Sequence, residues 1–84
     1  MIFIYKNRAP SGSANLCGTK IAEFRKNSQP YISQRKLADM LQLEGIDLDK
    51  NAIQRIESEK RFVTDIELLA FAKIMKTSAD FLLK

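Results

Sequence analysis

Eighty-four residues, 45% of them hydrophobic and 29% charged, suit one small globular domain and exclude both a disordered chain and a membrane span. A single cysteine, Cys17, excludes an internal disulfide, and the absence of histidine removes the usual zinc ligand and general base, so neither a metal site, a cofactor nor an enzyme is expected. The net charge of +4 is uneven: residues 1–36 hold Lys6, Arg8, Lys20, Arg25, Lys26, Arg35 and Lys36 against Glu23 alone, whereas the remainder is net acidic.

Such asymmetry fits an electrostatic footprint for a polyanion, although a merely soluble basic surface would look the same. No apolar run is longer than Met1–Tyr5, which is too short for a bilayer span or the core of a signal peptide, so the expected compartment is the cytoplasm.

Residues 1–18 form an irregular N-terminal arm, because Asn7–Gly18 is rich in Ser, Gly, Asn and Pro. Met1–Tyr5 is open between a short strand and a disordered tail. The domain proper is expected over residues 19–84. A first helix from about Thr19 to Asn27 buries Ile21 and Phe24 and ends before Pro30, which disfavours helix in the residue ahead of it. Ser33 is a good N-cap for a second helix with Leu37, Ala38 and Leu41 inward. Gly45 suits a turn, and Asp49 caps a third helix, Lys50–Ser58, anchored by Ile53 and Ile56.

Thr64-Asp65-Ile66-Glu67 is a capping box that starts a fourth helix. Ile66, Leu69, Ala70 and Ile74 are its expected inner face, with Leu68, Phe71 and Ala72 making it apolar nearly all round. Ser78 opens a short fifth helix with Phe81 and Leu82. No segment alternates as a strand, so the fold class is all-α: a compact five-helix domain containing a helix-turn-helix.

Several segments in this order resemble the phage repressor/Cro-type (XRE family) helix-turn-helix. They are Gly18-x-x-Ile21-x-x-x-Arg25, Ser33-Gln34-x-x-Leu37-Ala38, Ile53-x-x-Ile56-Glu57 and Lys60-Arg61, followed by the Asp65–Leu83 helices. The likeness spans about Gly18 to Leu83. The stretch between Ala38 and Ile53 is longer than the family's minimal pattern, a long-turn variant that leaves the angle between the two helices open. Glu59 stands where the family often has glycine, which forfeits the easy left-handed cap and sets an acid near the expected phosphates.

The resemblance implies that the third helix enters the major groove of double-stranded DNA. Lys50, Asn51, Gln54 and Arg55 are the candidates for base contact, since Lys and Arg donate to guanine and Asn and Gln pair with adenine. Gln34, Arg35, Lys36, Lys60 and Arg61 are the candidates for phosphate contact, and Arg25 with Glu57 for a structural ion pair. Lys6 and Arg8 on the arm are open between minor-groove insertion and a tail.

The implied function is sequence-specific transcriptional regulation, as a repressor occupying an operator. A homodimer is expected, because one helix reads few base pairs; the fourth helix and Phe81–Leu83 are open between supplying its interface and completing the core. An antitoxin-type regulator, with Met1–Tyr5 as a toxin surface, and a helical protein-interaction module without DNA binding are the alternatives.

Overall fold

The computed structural model of the protein describes Arg8, Ala9 and residues 11–84. Met1–Tyr5 and Lys6 lie outside the described residues, and with them the readings of a strand, a toxin surface and a Lys6 contact. Among the described residues the chain forms α1 (Gly18–Asn27), α2 (Gln34–Leu43), α3 (Lys50–Glu57), α4 (Asp65–Met75) and α5 (Ala79–Leu82), with no strand. No helix among them is long and apolar enough to cross a membrane.

Side-chain caps set most of the helix starts. The hydroxyl of Ser33 accepts from Lys36 N–H, the carboxylate of Asp49 from Ala52 N–H, and the hydroxyl of Ser78 from Phe81 N–H. Each satisfies a donor that the first helical turn leaves without a partner. Thr64 and Glu67 form the reciprocal capping box of α4. α2 ends in a Schellman motif: Gly45, at φ +84°, donates to Gln42 O, and Ile46 donates to Leu41 O. The chain then reaches Asp49, itself in extended backbone, and delivers α3 against the core.

That core joins Ile21 of α1, Leu37 and Leu41 of α2, Ile53 and Ile56 of α3, Phe71 of α4 and Leu82 of α5, all fully buried. Burying each such side chain is worth about 1.5–3 kcal/mol. α3 packs against both α1 and α2, so its inner face of Ala52, Ile53 and Ile56 is closed while its outer face stays free.

One expectation needs correction. The inner face of α4 is Ala70, Phe71 and Ala72, supported by half-buried Leu68, Ile74 and Met75; Ile66 and Leu69 point outward, 66% and 62% exposed. The helix is apolar at so many successive positions that its pattern names no single face, and the aromatic ring takes the core site. The described part of the arm is irregular and packs onto the domain. Ala14, Asn15 and Cys17 are buried, and the segment is bonded to the far end of α3.

Candidate nucleic-acid interface

Lys50, Asn51, Gln54 and Arg55 all lie exposed on the outer side of α3, because positions three and four apart share one face of a helix. Among the described residues, none of these four side chains is hydrogen-bonded or ion-paired within the chain. Asp49, the acid at the start of this helix, spends one carboxylate oxygen on its cap bond to Ala52 N–H.

The other end of α3 is held by the arm. Ser58, Glu59 and Lys60 close a second Schellman motif, in which Glu59 N–H reaches Ile56 O and Lys60 N–H reaches Arg55 O. Glu59 therefore adopts the left-handed conformation, φ +64°, that its position demands, despite its Cβ. Its carboxylate turns away from the α3 outer face and accepts from Ser13 Oγ at 2.8 Å and Thr19 Oγ1 at 3.0 Å. Its carbonyl accepts from Ala14 N–H. The feared acid beside the phosphates is thus engaged by the arm and by α1.

Asn15 completes this clasp. Its Nδ2 donates to Ile56 O and to Arg61 O, and its Oδ1 accepts from Gly18 N–H. One buried side chain thereby joins the starting turn of α1, the last turn of α3 and the chain beyond. Cys17, beside it, is sealed, and burial pushes its thiol up to about 11. A thiol so protonated and covered is no nucleophile.

Arg25 and Glu57 make the expected ion pair, with two parallel bonds: Nε to Oε2 and Nη2 to Oε1, both 2.8 Å. The side chains are only 5% and 9% exposed. Arg25 Nη1 also donates to Tyr31 Oη and Ile32 O. Burial alone would raise the Glu57 carboxyl, but the bonds from Arg25 and Gln34 outweigh it and hold it below the ordinary range. Glu67 is lowered in the same manner: burial opposes the shift, and bonds from Arg61 and the Thr64 cap overcome it.

These depressed carboxyls make an acid-range prediction. The stability they contribute is complete above the ordinary value near 4.5 and disappears as pH falls through the lower folded values, where protonation releases their partners. Urea unfolding free energies should fall steeply from pH 5 to pH 3. Glu67→Gln should lessen that fall by removing one of the two titrations.

The candidate phosphate contacts divide. Arg35 and Lys60 are exposed and unpaired among the described residues, and Lys60 borders a hollow of about 440 Å³ with Arg55, Arg61 and Phe62. Gln34 is half-buried and donates Nε2 to Glu57 Oε1, at 3.0 Å, so it braces α2 against α3. Arg61 is held inside the domain by Glu67, at 3.0 Å, and by Phe62 O. Lys36 sits on a groove lined by α1, α2 and α4 residues, apart from α3.

Arg8, left open by its place on the arm, stacks its guanidinium 5.1 Å from the centre of the Phe62 ring. That puts a further cation next to the residue lining the Lys60 hollow. Comparison with protein-family models, with curated proteins and with solved structures found no match to this chain.

Proposed function

We propose that the protein is a sequence-specific double-stranded DNA-binding transcriptional regulator of the phage repressor/Cro type, acting as a repressor by occupying its operator. The observation that carries this reading is the outer face of α3. Four side chains with the donor and acceptor chemistry for base edges stand exposed and, among the described residues, unpaired and unobstructed, on a helix fixed at both ends. Arg or Lys to guanine and Asn or Gln to adenine each supply about 1–3 kcal/mol of discrimination when bidentate.

In this reading Lys50, Asn51, Gln54 and Arg55 meet bases. Arg35 and Lys60 meet phosphates, joined by Arg8 on the Phe62 side. Gln34 and Arg61 act mainly by bracing the frame.

Duplex binding followed by fluorescence anisotropy tests the assignment. The logarithm of the association constant should fall linearly with the logarithm of salt concentration as counterions leave the phosphates. Lys60→Ala should weaken all duplexes alike and lower the salt slope by about 1, whereas Lys50→Ala should relax sequence preference. Absence of duplex binding at low salt would reject the reading and favour a protein-interaction module.

The reading includes a homodimer that spans two half-sites about 34 Å apart. Its interface is best supplied by the outward α4 residues Ile66 and Leu69 together with Leu43, which is 88% exposed at the end of α2. Ile66, Leu69 and Ile46 share one hollow edged by the Lys73–Glu44 ion pair. Leu69→Glu should leave the helical spectrum intact and shift sedimentation to the monomer. Binding to a palindromic site should then fall to that of one half-site. An unchanged sedimentation coefficient would remove this face from the dimer.

A further inference from the structure

We propose that the groove between the end of α1 and the end of α4 docks a short, acidic, amphipathic segment of a partner protein. The groove has a volume of about 440 Å³, and its walls are Phe24, Tyr31, Met40, Ile74 and Met75. Two of these five are methionines, whose unbranched, polarisable side chains repack around different shapes and recur at surfaces that accept varied apolar side chains.

Charge selects the occupant. Lys36 from α2 and Lys76 from the end of α4 are the charged residues of the lining. Both are exposed, and neither ammonium group has an ion pair or hydrogen bond among the described residues. No carboxylate lines the groove; Glu23 lines the adjoining hollow, which takes in Lys20, Phe81 and Lys76 as well. An apolar trough carrying two cations without an ion pair among the described residues complements an aromatic or long aliphatic side chain with Asp or Glu close beside it.

A nucleic-acid backbone is a poorer match, since it would meet two cations and a mostly hydrocarbon wall. A small molecule is also a poorer match, because its pocket normally covers most of the ligand surface, whereas this groove is open along one side. No groove residue lies on α3, so the peptide site and the outer face of α3 share no side chain.

The test pans a phage-displayed library of random peptides on the full purified chain. Enriched peptides should combine a large apolar residue with neighbouring Asp or Glu. Their binding should shift the methyl resonances of Met40, Ile74 and Met75. Lys76→Glu should weaken them about fivefold, the upper end of the scale for one lost exposed charge pair. Lys76 is exposed, so this variant keeps its helical spectrum; changing the peptide's own Glu to Gln should weaken binding in parallel.

The proposal is overturned if no peptide family is enriched, if the enriched peptides lack acids, if Lys76→Glu binds unchanged, or if the shifted methyls lie elsewhere. Duplex affinity measured on the same preparation is independent of these outcomes, so a failed groove and a failed DNA reading are told apart.

Discussion

Glu57→Ala is expected to lower the unfolding free energy by about 3–5 kcal/mol, the usual cost of leaving one member of a buried ion pair alone. Arg25 would keep its charge at 5% side-chain exposure and lose the acceptors of both Nε and Nη2, while Gln34 Nε2 would lose Glu57 Oε1. Against a total of about 5–15 kcal/mol for a native domain, the loss would leave a chain of this size close to unfolding at ambient temperature.

Urea melts followed by circular dichroism measure the effect. The double variant Arg25→Met with Glu57→Met should be less destabilised than Glu57→Ala, because no isolated charge remains. A loss below about 1 kcal/mol for Glu57→Ala would mean that the pair behaves as an exposed surface bridge.

Gly18→Ala is the second large effect, expected to cost about 1–3 kcal/mol or more through overpacking. The first turn of α1 approaches α3 so closely that a Cβ at Gly18 would overlap the backbone oxygen of Ile56. That oxygen cannot swing aside as a side-chain tip would, and it also accepts from Asn15 Nδ2. Alanine normally favours a helix over glycine by about 0.8–1.0 kcal/mol, so a destabilised Gly18→Ala reverses the sign expected from propensity alone. A stabilised variant would show that α1 and α3 have room to separate.

The legible parts of the fold were those controlled by chemistry within a few residues. Ser33, Asp49, Thr64 and Ser78 are caps because a short polar side chain reaches an N–H two or three residues ahead. The outer face of α3 was legible for a similar reason, since Ile53 and Ile56 fix the inner side and helical spacing fixes the rest. Arg25 and Glu57 stand 32 residues apart, and only resemblance to a known pattern paired them.

Contacts between distant, ordinary-looking residues were not legible. Asn15 reaches Ile56 and Arg61, sequence separations of 41 and 46, from a stretch whose composition reads as irregular chain. Arg61 looked like a free cation because Glu67 already had a visible duty as the α4 capping residue; its carboxylate performs both tasks. α4 misled through excess: between Glu67 and Lys73 five successive apolar residues leave no polar side chain to mark the outside.

The Asn15 clasp sets a practical boundary for any shortened or fused version of this chain. Exchanging Arg8 and Ala9 removes the Arg8 contact with Phe62 and the Ala9 bonds to Gly12 and Ser13, and leaves the Asn15 bonds in place. Cutting past Asn15 strips the Ile56 and Arg61 carbonyls of its amide and the Glu59 carboxylate of Ser13. The scar would surface far downstream, as a frayed last turn of α3.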